Sequence, residues 1–296
     1  MLPKEILGSF RTFGGQAAWF IGDASMSANM GDAAAVEPTW VWGLPLSAVT
    51  MSEAIADIEL RIDKRHSSYV VSANLNYAML CETDQELQAI NQDASMVLVD
   101  GMPLVWASRF RPRPLQERVA GSDLIFSLAK LAARRGYRVY FLGGAAGVAD
   151  KAAERLKALN PGLVVVGTES PPYGPMSEEA EQAVLTRIRE SRADILIGAF
   201  SQPQGEKWIA ANHRKTGAPM CLQIGASLDF AAGRVRRAPQ WLRRSGLEWA
   251  FRLALEPRRL TGRYARNTAF LIKSVIRDLA SRNRPVETLR TSKAIP

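Results

Sequence analysis

The chain has 296 residues, 47% hydrophobic and 23% charged, with a formal net charge of +9. That composition excludes wholesale disorder and allows one large domain, or one medium domain with appendages. Two cysteines, Cys81 and Cys221, and two histidines, His66 and His213, exclude a disulfide framework and a structural zinc site, and fit a reducing, cytoplasmic setting.

Residues 1–38, rich in Gly, Ala, Ser and Met, have weak periodicity and predict a flexible or partly helical extension. The apolar run from Gln16 to Gly22 is short and bracketed by Arg11 and Asp23, so it does not read as a signal peptide. Order is expected from near Val41. Thr50 followed by Glu53 predicts a capping box opening a helix, with Ala54, Ile55, Ile58 and Leu60 as its apolar positions. A β-prone run over 69–74 leads into a helical pattern over 75–91, then a strand over 95–101 that ends in a turn. The alternation continues with helix 123–135, strand 138–142 before Gly143-Gly144, helix 148–159 and strand 162–167. Helix 178–191, strand 194–200, helix 206–216 and strand 220–224, which stops at Gly225, complete it. Short β-branched runs alternating with longer helices predict an α/β fold over 39–233: a doubly wound, mainly parallel, Rossmann-like sheet. Such sheets bind ligands at the carboxyl ends of their strands, where every polar motif below falls.

After Gly233 the pattern loses its strands. Two amphipathic helices are expected, over 239–255 and 258–280, with Pro257 as the break. Residues 234–296 hold fourteen Arg and two Lys against four acidic residues, whereas the first 233 residues hold 22 basic against 25 acidic. The charge is therefore local to a basic helical appendage and tail. Such a segment suits a polyanion (nucleic acid, an anionic membrane surface or a pyrophosphate-bearing substrate), with a solvated helix face as the plain alternative. The excess of Arg over Lys favours phosphate forks. Trp241, Trp249, Phe251, Leu253, Leu255 and Tyr264 interleave with the arginines, which suits a membrane interface, and no recognised nucleic-acid module is present. No run reaches the roughly 18–20 apolar residues that span a bilayer.

Asp100, at a strand end beside Gly101, suits a general base, a ribose contact or a helix cap. Ser72 and Asn74 end an earlier strand, with turn chemistry as their plain reading. Gly143-Gly144-Ala145-Ala146-Gly147 follows a strand and opens a helix, so its N–H groups and the helix dipole suit phosphate. The spacing is G-G-x-x-G, and no acidic residue is expected to end the next strand, which closes at Val166-Gly167; a nicotinamide site is disfavoured. Gly225, Ser227 and Asp229 form another strand-terminal turn, suited to a uridine or ribose contact or to a capped helix start. Gln204 and Glu206 lie in a polar loop entering a helix, where the dipole alone accounts for the acid. Arg118 suits a bidentate phosphate contact, or a lock on its own loop through Glu117 or Asp123. No D-x-D occurs, and no metal or other cofactor is expected.

Together the ordered blocks resemble the WecG/TagA/CpsF family of bacterial glycosyltransferases (glycosyltransferase family 26). The blocks are Ser72-Ala73-Asn74-Leu75-Asn76, Asp100-Gly101-Met102-Pro103-Leu104-Val105-Trp106, Glu117-Arg118-Val119-Ala120-Gly121-Ser122-Asp123-Leu124, Phe141-Leu142-Gly143-Gly144 and Pro161-Gly162-Leu163. Further along come Pro203-Gln204-Gly205-Glu206-Lys207-Trp208, Gly225-Ala226-Ser227-Leu228-Asp229-Phe230, Arg237-Ala238-Pro239 and Gly246-Leu247-Glu248-Trp249. The resemblance implies inverting transfer of a sugar from a UDP-sugar to a polyprenyl-pyrophosphate-linked saccharide, at the cytoplasmic face of the inner membrane. It implies Asp100 as general base, Ser72 and Asn74 beside it, and Arg118 on phosphate. Gly143, Gly144, Tyr173 and Asp229 would form the nucleotide side. The basic helices, with Arg237, Arg252, Arg258, Arg259 and Arg263, would meet the membrane and the pyrophosphate. Where parts of that family read P-K-Q-E, this chain has Gly205 in place of the glutamine, with Gln202 or Gln204 as substitutes. The competing expectations are a Rossmann-type nucleotide-sugar or NAD-dependent oxidoreductase, and a non-catalytic protein that binds anionic lipid or nucleic acid.

Overall fold

The structure, a computed structural model, describes residues 37–282 apart from Tyr173 and Pro175. The expected extension over 1–38 therefore lies outside the described residues up to residue 36, and so does Tyr173.

The first described elements are a short antiparallel hairpin, β1 (Thr39–Val41) and β2 (Leu44–Leu46), which the sequence pattern did not predict. Trp42 and Gly43 both take positive φ at its turn. Helix α1 (Met51–Asp63) opens with the expected capping box: the Thr50 hydroxyl accepts the Glu53 N–H, and the Glu53 carboxylate accepts the Thr50 N–H. Strand β3 (Ser68–Ala73) follows. The expected helix over 75–91 is two helices, α2 (Leu75–Cys81) and α3 (Gln85–Asp93). Asp84 divides them, because its carboxylate accepts the N–H groups of Glu86 and Leu87 and so starts a second helix.

Strand β4 (Met96–Val99) leads through Asp100 into α4 (Met102–Ser108), a helix too short to show a periodicity of its own in the sequence. Then come α5 (Gly121–Arg135), β5 (Arg138–Gly143), α6 (Val148–Leu159) and β6 (Val164–Glu169). Helix α7 (Glu178–Ser191), β7 (Ile195–Ala199), α8 (Gln204–Thr216), β8 (Met220–Gln223) and the short α9 (Ser227–Ala231) follow. Strand β6 corrects one expectation. It runs past Gly167 to Glu169, so an acidic residue does end the strand after the glycine turn. That carboxylate accepts the Tyr140 hydroxyl at 2.9 Å and is paired with Arg187, so it is engaged within the sheet.

Strands β3 to β8 form one parallel sheet in the order β4-β3-β8-β7-β5-β6, covered by helices on both faces, which is the doubly wound α/β fold expected. One face packs Tyr69, Val71, Leu142 and Leu196 against the side of α2, α3 and α8; the other packs Val70, Phe141, Ile197 and Leu222 against α5 and α6. This alternation along each strand is the period-two geometry of a sheet buried on both sides.

Beyond Gly233 the described residues hold helices only. The expected helix over 239–255 is broken into α10 (Gln240–Arg244) and α11 (Glu248–Leu255). Gly246, at φ +76°, turns the chain between them. Helix α12 (Pro257–Arg282) begins at the proline itself, which suits a first helical position. It returns to the body: Phe270 is buried edge-on against Trp42 with ring centroids 5.7 Å apart, and the Trp42 indole N–H donates to Asp278.

Candidate active site

The carboxyl ends of the parallel strands carry all the polar motifs singled out in the sequence. Asp100 follows β4, where its N–H bonds the Ala73 carbonyl of β3 at 2.8 Å. Its carboxylate accepts the Gly121 N–H at the start of α5, a helix end that favours negative charge. Burial pushes the Asp100 carboxyl up to about 6, with the charge of Glu248 adding to the rise, while Arg118, the Gly121 N–H and Arg252 oppose it. The group is therefore mostly ionised at neutral pH, yet basic enough to take a proton. Gly121 itself leaves little room, since an added Cβ would stand 3.0 Å from the Ile224 carbonyl.

Arg118 does not lock its own loop. Glu117 instead accepts the Met51 N–H, and Asp123 is taken by Arg237 at 2.5 Å and Arg243 at 3.5 Å. The Arg118 guanidinium reaches 130 residues along the chain to Glu248 of α11, at 2.8 Å, with both side chains largely buried. Burial opposes its charge, but Asp100 and Glu248 outweigh that cost and hold the guanidinium above its ordinary range. Glu248 lies in the Gly246-Leu247-Glu248-Trp249 block of the sequence, but nothing in that block assigns it a role. The available signal was an acid in a segment with only four acidic residues.

Around this pair the C-terminal segment crowds arginines onto aromatic rings. Arg237 lies 5.9 Å from the ring centres of both Phe126 and Phe230, and Arg252 lies 5.5 Å from Phe230. Arg263 lies over Tyr264. The Nε atoms of Arg237, Arg243, Arg252 and Arg263 are buried without a hydrogen-bond partner. Buried cationic donors left unpaired are costly, and they suit an anionic ligand. Arg259 is exposed and paired with Glu256, and Arg258 is exposed.

Gly246 brings this segment close. An added Cβ there would lie 2.7 Å from the Trp106 ring and 3.0 Å from Met102, both on the helix that follows Asp100. Gly246→Val combines that overlap with a positive φ, a strain of about 2–4 kcal/mol. The expected result is faster proteolysis within 234–256 and at least tenfold lower activity, with the sheet's far-ultraviolet signal retained. Parental activity and cleavage rates would show that the close approach is dispensable.

The other expected residues divide. Ser72 is buried at the end of β3; the Gln202 amide donates to its carbonyl at 3.4 Å, and the Asn76 amide donates to Gln202 at 3.2 Å. The Asn74 carbonyl oxygen caps α2 by accepting the Tyr77 N–H, the plain turn reading. Ser227 is buried and its hydroxyl donates to the Ile224 carbonyl, so it supports the turn and does not line a cleft. Gly225 takes φ +54° with open space at its Cβ position. Asp229 pairs with Arg234 at 3.7 Å.

Gln204 is exposed in the first turn of α8, whereas Glu206 is 1% exposed, with Oε2 unpartnered. Burial raises the Glu206 carboxyl to about 7 against hydrogen bonds from its own N–H, Gln202 and Gln223, so a helix-dipole account alone is insufficient. An added Cβ at Gly205 would overlap the Gln223 amide, which is fully buried and bonded to Phe200. Gln223 thus fills the space where a side chain at 205 would begin.

Gly143 and Gly144 sit at the end of β5, both at positive φ; a Cβ at Gly143 would overlap the Ala199 carbonyl at 2.9 Å. They share the sheet edge with Asp100 but not its immediate surroundings. Four strand spacings separate β4 from β5, roughly 19 Å at about 4.8 Å each. Among the described residues no three His, Cys, Asp or Glu side chains gather to hold a metal ion, and no helix is long and apolar enough to cross a membrane.

The model of the Glycosyl transferase WecG/TagA/CpsF family matches residues 39–285. Among curated proteins, an N-acetylglucosaminyldiphosphoundecaprenol N-acetyl-beta-D-mannosaminyltransferase of Bacillus spizizenii is 30% identical over 198 residues, 67% of this chain and 75% of the relative. A protein with the same description from Bacillus subtilis is 26% identical over 196 residues, 66% of this chain and 75% of the relative.

Proposed function

Because the chain belongs to the WecG/TagA/CpsF family of glycosyl transferases, we propose that it moves a hexose or N-acetylhexosamine from a UDP-sugar to a saccharide carried on polyprenyl pyrophosphate. Family membership sets aside the oxidoreductase and the non-catalytic readings. The observation that carries the proposal is the meeting of Asp100 with Arg118 and with Arg252 of the C-terminal helices at one end of the sheet. The names of the Bacillus relatives, which describe transfer to a diphosphoundecaprenol-linked sugar, support the acceptor class.

In this reading the Asp100 carboxylate takes the proton of the acceptor hydroxyl as that oxygen attacks the anomeric carbon from the face opposite the leaving group. The bond from that carbon to the diphosphate oxygen breaks, UDP departs with the electron pair, and configuration inverts. Arg118 and the unpaired guanidinium donors of Arg237, Arg243, Arg252 and Arg263 stabilise phosphate charge. The nucleotide reaches toward Gly143 and Gly144, a span that an extended nucleoside diphosphate sugar bridges and a monosaccharide does not. Ser72, Gln204 and Asp229 are available to it along the way.

The same segment meets the inner membrane face as a peripheral contact. Trp241 and Trp249 are exposed among the arginines, and Ile272, Val275, Ile276 and Leu279 form an exposed apolar stripe on α12, opposite buried Phe270 and Ser274.

The test is a panel of UDP-sugars offered with N-acetylglucosaminyl-diphosphoprenol of short chain length. Transfer from at least one donor with inverted configuration is expected; release of UDP with no sugar reaching the lipid would overturn the acceptor assignment. Since arginines and N–H groups supply the positive charge here, EDTA is expected to leave the rate within about twofold. Strong inhibition restored by a divalent cation would show that a metal takes part.

A further inference from the structure

Glu248 is a largely buried carboxylate for which the proposed reaction has no use, and it comes from the C-terminal helices, not from the sheet. Its side chain holds Arg118 at 2.8 Å, and its charge acts on Asp100 as well. We propose that Glu248 is a positioning residue: it holds the Arg118 fork beside Asp100, so that base and phosphate-binding cation are assembled only when α11 is folded over the sheet. The proposal rests on the reading of Asp100 as general base.

Three elements supply the groups that face Asp100. The loop before α5 contributes Arg118, the start of α5 contributes the Gly121 N–H, and α11 contributes Glu248 and Arg252. Asp123, with its partners Arg237 and Arg243, bears on Arg118 one step further out. Among the described residues that face Asp100, the carboxylate of Glu248 raises its proton affinity, whereas the two arginines and the amide lower it. Without Glu248, burial alone would oppose Arg118 and Arg252 at Asp100, the base would weaken, and the Arg118 guanidinium would lose its carboxylate partner. A segment remote in sequence thus tunes the base through charge and places the cation through geometry, two effects that can be measured separately.

Turnover requires ionised Asp100, so the parent's rate rises with pH along an acid limb centred near 6. Glu248→Gln keeps the shape and one acceptor for Arg118 but removes the charge. It is expected to move the acid limb to lower pH by about 0.5–1 unit and to lower the plateau rate about tenfold. Glu248→Asp keeps the charge on a shorter arm, so its acid limb stays where the parent's is while its plateau falls.

A purely structural role would lower both plateaus and move neither limb, and that result overturns the proposal. So does an Asp variant whose limb moves as far as the Gln variant's. Thermal melting verifies both folds; if the Gln variant does not fold, the plateau of the Asp variant decides: a lowered plateau with the parent's melting temperature supports the positioning role, and a parental plateau overturns it. Asp100→Asn, assayed alongside, separates the two readings. If it is inactive while Glu248→Gln has an unmoved limb, only the Glu248 proposal fails; if it stays active, the general-base reading fails and this proposal with it.

Discussion

Replacing Asp100 by asparagine is expected to lower turnover by about 10²–10⁴-fold, a loss of roughly 3–5 kcal/mol of transition-state stabilisation, while UDP binding changes little. Asparagine keeps the shape and an oxygen for the Gly121 N–H, so the local fold has no reason to move. What disappears is the ability to take a proton. Because burial already places the carboxyl near 6, the parent loses activity on acidification from neutrality, whereas any residual activity of the variant lacks that limb. Steady-state assays from pH 5 to 8 and a UDP titration on the same preparations decide it. Near-parental turnover would remove Asp100 from the chemistry.

The second large effect is expected for Arg118→Ala. Turnover falls by about 10²–10³-fold if, as proposed, Arg118 donates to phosphate charge at a site shielded from water. Stability falls too, since Glu248 would remain largely buried without its partner, at a cost of about 3 kcal/mol. The two losses come apart in the double variant Arg118→Ala/Glu248→Gln. There the stranded charge is gone, so the melting temperature recovers most of its fall while turnover stays low. Recovery of both together would mean that Arg118 serves only to neutralise Glu248. Arg118→Lys restores the charge but not the two-pronged geometry and is expected to rescue turnover only in part.

Much of this arrangement is legible in the amino-acid sequence. The alternation from Tyr69 to Ile224 marks a parallel sheet because strands buried on both faces need unbroken apolar runs rich in β-branched residues. Met96-Val97-Leu98-Val99 in β4 is such a run, buried at all four positions. The mouth of the site is legible too, because a polar residue directly after such a run, as Asp100 is, must stand at a strand end.

Boundaries set by single side chains are harder to read. Asp84 splits a helical pattern because its carboxylate offers the backbone a better start than continuation does. Gly246 splits α10 from α11 although Leu242 and Trp249, seven residues apart, keep a helical spacing across it. At Glu169 the difference is one of length: β6 pairs with β5 for two residues beyond Gly167, through Thr168 and Glu169, and only that pairing shows where the strand ends.

Periodicity and composition, which act over a few residues at a time, suffice for the fold class. They also suffice for the end of the sheet that carries the polar groups and for the segregation of positive charge into the last quarter of the chain. Which groups meet is a matter of packing in three dimensions: Arg118 with Glu248, Asp123 with Arg237 and Arg243, and Asp100 with the start of α5. Fourteen arginines in residues 234–296 offer many equivalent ways to pair charges, and sequence spacing does not rank them. The path of the backbone does, because a charge pair becomes strong only where packing removes water from both partners.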